Sequence, residues 1–151
     1  MVKGGPMFFF SDLDLGLNTE LLFALHPLRF LAIEFGTGFF WADGDSGTDA
    51  WGASFFGGVG VRLPVGPVEP YAGAGIGAYY INAEFQAEDF VYVHDSDIVF
   101  GGYGVAGVNV YFGEAFLGVE GKYIRTMDAD LGGQDLHLDG LAIMLCFGAR
   151  F

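Results

Sequence analysis

Apolar and polar positions alternate in twos along most of this 151-residue chain. Between Leu138 and Phe151, one parity holds Leu141, Ile143, Leu145, Phe147, Ala149 and Phe151; the other holds Gly140, Ala142, Met144, Cys146, Gly148 and Arg150. Period two is the mark of a β-strand, whose successive side chains point to opposite faces. The pattern predicts eight strands, roughly Val2–Phe10, Asn18–Leu25, Leu28–Trp41, Trp51–Leu63, Val68–Asn82, Ile98–Phe112, Phe116–Met127 and Asp139–Phe151. Most exceed the ~9 to 11 residues a tilted strand needs to cross a bilayer. One face of each is bulky and apolar, the other small or charged. A soluble sandwich would bury the bulky face, whereas a transmembrane barrel turns it to lipid and points the other into a polar lumen.

The connections alternate in kind. His26-Pro27, Pro64-Val65-Gly66-Pro67 and Gly113-Glu114-Ala115 are short, while Ser11–Leu17, Ala42–Ala50, Glu84–Asp97 and Asp128–Leu138 are long. An even number of antiparallel strands with short turns at one end and long loops at the other is the outer-membrane arrangement, and it sets both termini on the short-turn side. Of the 19 acids, 14 fall in or beside the long connections, and Glu114 alone falls in a short turn.

Within the strands, the parity opposite the bulky groups holds Lys3, Glu20, Glu34, Arg62, Glu69, Glu120, Lys122 and Arg150. Four acids against four bases satisfy the neutrality that burial of charge demands. Gly36, Gly38, Gly58, Gly60, Gly73, Gly75, Gly77 and Gly118 share that parity and are expected to leave room for the long charged side chains. An eight-stranded interior is just wide enough to be filled by side chains. Two aromatic belts are expected at the two interfaces, one from Phe8, Phe10, Phe39, Trp41, Trp51, Phe55 and Tyr80, the other from Phe112, Phe116 and Phe151.

Composition narrows the function classes. The 26 glycines, 17 phenylalanines and positive mean hydropathy of +0.43 coexist with a net charge of −13. No segment approaches the ~18 to 20 uninterrupted apolar residues of a membrane helix. With no basic patch to meet phosphates, nucleic acid is excluded as a partner. Met1-Val2-Lys3 is not followed by an apolar signal core, so the sequence reads as a mature chain without a signal peptide. Cys146 is the single cysteine and cannot form an internal disulfide.

These strands resemble the small eight-stranded outer-membrane β-barrels of the OmpA/OmpX-like superfamily. The resemblance rests on Val68-Glu69-Pro70-Tyr71-Ala72-Gly73-Ala74-Gly75-Ile76-Gly77, similar to that group's Pro-Tyr-x-Gly-x-Gly-x-Gly strand, with Gly107-Val108-Asn109, Glu120-Gly121-Lys122-Tyr123 and the terminal Phe151. It implies an all-β, up-and-down transmembrane barrel over residues 1–151 as a single domain, in the outer membrane of a Gram-negative-type envelope. It also implies that Leu145, Phe147 and Phe151 are read by the barrel-assembly machinery. The peptidoglycan-binding domain of larger relatives has no counterpart in this sequence.

Candidate chemistry is sparse. His94-Asp95-Ser96 has the spacing for a His and a Ser on one strand face, with Glu88 near enough to orient the imidazole. Lipid A deacylases carry a His-x-Ser, but in a later strand, and here the triplet reads as an acidic loop tip. Asp43-Gly44-Asp45-Ser46-Gly47-Thr48-Asp49 resembles a calcium loop without the closing bidentate Glu, and Asp128, Asp130, Asp135, His137 and Asp139 form a second acidic cluster. Turn formation by Asp, Gly and Ser accounts for both. His26 before Pro27 reads as structural, and Cys146 as a packed thiol in the lumen. The sequence assigns no catalytic residue, metal site or cofactor. It predicts a non-enzymatic structural or surface-interaction barrel. The alternatives are a narrow channel for small solutes or ions and an enzyme acting on outer-leaflet lipid. Expected partners are the bilayer and its lipopolysaccharide, held by divalent cations on the acidic rim, and an envelope or surface partner reached through the acidic loops.

Overall fold

The computed structural model describes the chain except residues 11–12, 45–47, 88–90, 128, 132–133, 137–138 and 151, and describes side chains except at 11–14, 43–49, 83–95, 128–138 and 151. The described strands are β1 (Val2–Phe9), β2 (Leu13–Leu28), β3 (Leu31–Gly44), β4 (Thr48–Arg62), β5 (Val68–Ala87), β6 (Val91–Phe112), β7 (Ala115–Thr126), a small hairpin of β8 (Ala129–Leu131) and β9 (Gln134–Leu136), and β10 (Gly140–Ala149). Eight of them close into an antiparallel barrel in the order β1-β10-β7-β6-β5-β4-β3-β2. Each strand neighbours the next in sequence, and β1 pairs with β10 to remove the free edges that lipid would not tolerate.

The sides of the wall are sorted as the alternation requires. Leu141, Ile143, Leu145 and Phe147 point outward, while Ala142, Met144 and Cys146 are buried between them. Leu21, Phe23, Phe35, Phe55, Val59, Phe100 and Leu117 extend the exposed apolar band around the barrel. A continuous apolar surface of this size far exceeds the few hundred Å² a water-soluble protein presents, so the exterior is built for an apolar medium.

Strand ends differ from the sequence expectation. β2 runs through His26-Pro27, and the turn falls at Arg29-Phe30. Proline cannot donate to a ladder, and the register shift between Leu25 and Leu28 absorbs it, so Leu28 opposes Leu31. At the other short turns, Gly66 and Gly113 adopt φ of 62° and 72°, a left-handed conformation that glycine enters without penalty. At the opposite end, three of the expected long loops are largely strand. Asp43 opposes Asp49, and Glu84 opposes His94, so residues 45–47 and 88–90 alone separate those strand pairs. Leu13 already opposes Gly44 within the expected first loop. The fourth contains the β8–β9 hairpin.

Two features of the wall matter below. β7 ends its pairing at Gly101↔Thr126, but β6 continues upward from Phe100 to Val91 against β5. These ten residues of ladder, about 30 Å at ~3.3 Å per residue, overhang β7. At the closing seam, β1 pairs with β10 through Val2–Gly4 and again through Met7–Phe9, and the register lapses at Gly5-Pro6. A Cβ on Gly5 would strike the Ile143 carbonyl oxygen.

Candidate functional site: the closed polar lumen

The inward parity brings charged and aromatic side chains together in layers. At mid-height, Lys3 Nζ donates to both Glu120 oxygens at 2.7 and 2.6 Å, and the Tyr71 hydroxyl donates to Glu120 Oε2 at 2.7 Å. Beside it, Lys122 Nζ donates to Glu20 Oε1 at 2.5 Å, and Asn18 donates to the same oxygen at 3.1 Å. The Lys122 ammonium also sits 3.9 Å from the Phe56 ring centroid and 4.5 Å from that of Tyr103, so its remaining face meets aromatic quadrupoles. All four charged residues are at most 3% exposed. Charge-assisted hydrogen bonds of this length are the geometry that makes buried ions tolerable.

Below them, Glu69 receives the Arg62 guanidinium at 3.1 Å, the Arg150 guanidinium at 2.8 Å and the Tyr111 hydroxyl at 3.0 Å. Arg150 also stacks over Tyr111, 4.7 Å from its centroid. This layer borders a cavity of about 430 Å³ that opens at the short-turn end and is lined in part by His26, Arg62, Asn109, Tyr111 and Phe116. Glu34 is buried near Arg62 and Tyr71 but makes no direct ion pair among the described residues. The pairing is therefore not one-to-one, as four acids and four bases suggest, because Glu69 takes two partners.

Above the lysines the lumen becomes apolar. Met7, Phe9, Phe40, Tyr79, Ile81 and Val99 pack there with Ala42 and Ala50, Phe9 and Phe40 at a centroid distance of 6.2 Å. Two cavities among these layers measure about 10 Å³ each, one beside Glu34 and Tyr71, the other among Asn18, Glu20, Ser54 and Tyr79. Each matches a single water molecule, and they share no lining residue.

Several expectations are corrected. The lumenal glycines chiefly admit rings rather than charged chains: a Cβ on Gly36 would strike Phe56, one on Gly75 would meet Tyr103 at 2.6 Å, and one on Gly107 would meet Tyr71 at 2.7 Å. Gly38 alone among those expected lies against a charged chain, its Cβ position 3.2 Å from Glu20 Cγ. Phe116 leaves the expected belt and packs inside against Tyr111, with ring centroids 5.2 Å apart. His26 sits at the exposed end of β2 rather than in a turn. His94, Asp95 and Ser96 belong to β6 and not to a loop tip, with Ser96 opposite Asn82; the His94 side chain lies outside those described. So do the side chains of the calcium-like segment, of Asp128, Asp130, Asp135 and His137, and the assembly-signal residue Phe151. Leu145 and Phe147 face outward, and Cys146 is buried 3.8 Å from the Tyr71 hydroxyl.

The sequence reading did not assign Tyr71, Tyr103, Tyr111, Phe56, Asn18 and Asn109 to the lumenal network. Their signal was present, since Tyr71 shares the parity of Glu69, and Phe56 that of Arg62.

A closed, all-antiparallel eight-stranded barrel with a bulky apolar exterior and a charged interior has the fold of the small outer-membrane β-barrels. Among solved structures, the chain is similar to neisserial surface protein A (NspA; TM-score 0.76, 14% identity, covering 99% of this chain and 94% of that one). It is also similar to the outer membrane enzyme PagL (TM-score 0.64, 16% identity, 99% of both chains). A third likeness is to the N-terminal β-barrel domain of Pseudomonas aeruginosa OprF (TM-score 0.56, 14% identity, 99% and 95%). No family profile and no curated protein matches the sequence. At these identities the likeness is one of fold, and fold does not carry function.

Proposed function

We propose that this chain is an integral outer-membrane barrel whose role is structural and interactive, neither catalytic nor conducting. The observation that carries this reading is the filled lumen. Two Lys–Glu pairs block the middle, and Phe9, Phe40 and Ile81 fill the space above them. Among the described residues, the two cavities in these layers measure about 10 Å³ each and share no lining residue, which supports a lumen without a solute passage. The interior charges other than Glu34 pair with one another, and in this reading partners are met through the β5–β6 overhang and the acidic segments. Leu145, Phe147 and Phe151 serve assembly in this reading, and lipopolysaccharide is the lipid neighbour at the rim.

The test refolds the full chain into lipid vesicles and planar bilayers. Insertion is expected to give a compact, heat-modifiable band and no unitary conductance, and incubation with lipid A is expected to leave its mass unchanged. Discrete channel openings establish the conducting alternative. Loss of an acyl chain that disappears on His94→Ala establishes the enzymatic one.

A further inference from the structure

The exterior of the barrel is not uniformly bulky. A groove of about 920 Å³ crosses it from β3 to β7, and its walls are Phe35, Phe55, Ile76, Phe100 and Met127. One register row passes along it: Phe35 opposes Gly57, Gly57 opposes Ile76, Ile76 opposes Gly102, and Gly102 opposes Arg125. Gly57 and Gly102 form the floor, with Ala78 in the next row. The hollow at Gly102 is not imposed by crowding, since the nearest atom to a Cβ placed there is the Gly75 carbonyl oxygen at 3.7 Å.

The row does not run level in a membrane. Phe35 lies four residues above the start of β3, and Arg125 ten residues above the start of β7. At ~3.3 Å per residue and a tilt of ~40°, the groove climbs from about 10 Å to about 25 Å above the short turns. Its upper end therefore meets the outer edge of an apolar band ~25 Å tall, which is where headgroups sit.

Arg125 stands at that upper end. The chain has six Lys and Arg residues; Lys3, Arg62, Lys122 and Arg150 belong to the lumenal layers and Arg29 to a short turn. Arg125 alone projects from the outer wall, with its side chain 77% exposed. Among the described residues its acidic partner is Asp139, whose Oδ2 lies 3.9 Å from the Arg125 Nε, an ion pair too long for a hydrogen bond, while its Oδ1 accepts the Thr126 N–H at 2.9 Å. The fork of the guanidinium, suited to bidentate contact with a phosphate, is thus open at the mouth of an apolar trough.

We infer that this groove binds one membrane lipid, with an acyl chain lying along the Gly57–Gly102 floor and an anionic phosphate headgroup held by Arg125. The inference presupposes the membrane-embedded barrel proposed above and adds a specific lipid site to it.

The experiment reconstitutes the full chain into vesicles of equimolar phosphatidylglycerol and phosphatidylcholine, extracts it gently and counts retained lipids by native mass spectrometry. One phosphatidylglycerol is expected to be retained at least tenfold over phosphatidylcholine. Arg125→Gln is expected to abolish that preference and Arg125→Lys to keep part of it. Gly102→Leu, which raises the floor and leaves the net charge as it is, is expected to reduce retention of both lipids several-fold. Heat-modifiable mobility, scored on each variant, reports failure of the barrel reading separately from failure of the site. The inference is overturned if Arg125→Gln keeps the preference, if Gly102→Leu keeps full retention, if soluble glycerol phosphate displaces the lipid, or if a second protein copy takes its place.

Discussion

The lumen contains two charged layers, Lys–Glu pairs in the middle and an Arg–Glu cluster below them, in different surroundings. Around Lys3, Glu120, Lys122 and Glu20, every charged side chain is at most 2% exposed. Around Glu69, the Arg62 side chain is 10% exposed and that of Arg150 is 48% exposed, at the edge of an open cavity. Glutamates are thus paired with cations at two levels of hydration. A broken pair in the dry layer leaves an ion with no water to replace its partner, whereas the lower layer can rehydrate through the mouth. The middle of this barrel is therefore the part that depends most on complete pairing.

The largest effect is expected from Lys3→Met or Lys122→Met, each stranding a buried carboxylate. Either should destabilise the barrel by about 3–5 kcal/mol, read as a lowered urea midpoint for unfolding from vesicles. The contrast sharpens with Lys3→Met combined with Glu120→Leu. Removing both ions should recover most of that loss, leaving about 1 kcal/mol for the Tyr71 hydroxyl deprived of its acceptor; a double variant as unstable as the single would mean the pairing is not what matters. Glu69→Gln should come next, at roughly 2 kcal/mol, because Arg62 loses its carboxylate while the mouth admits water. The smallest change is expected from Arg150→Ala, below about 1 kcal/mol and shrinking further in high salt. A loss at Arg150 equal to that at Lys122 would erase the distinction between the layers.

Alternation made the wall readable, because in a strand a single parity choice assigns every side chain to one of two sides. It was overridden at Phe116, expected in an aromatic belt although it shares the lumenal parity of Gly118 and Glu120. Phe40 and Phe56 also share the lumenal parity, and all three rings lie buried inside. They fit because Gly52, Gly36 and Gly148, each directly opposite on the neighbouring strand, lack the Cβ that would collide with them. That complementarity links residues on different strands and is not visible along one strand. Acidic segments misled in another way. Asp43, Asp49, Glu84 and Asp95 look like loop residues, but their backbones stay paired past the apolar band. The alternation of Val91 and Val93 around Tyr92 was the available clue. The groove at Arg125 was unreadable for a related reason, since it exists only once four registers align.

The interruption at Gly5-Pro6 has a mechanical corollary. Proline cannot supply the missing N–H, so the ladder between the first and last strands is two short zippers rather than one long one. A pulling force applied to the N-terminus would need to peel only three paired residues before reaching a gap, and the cylinder should unroll from this junction ahead of any other.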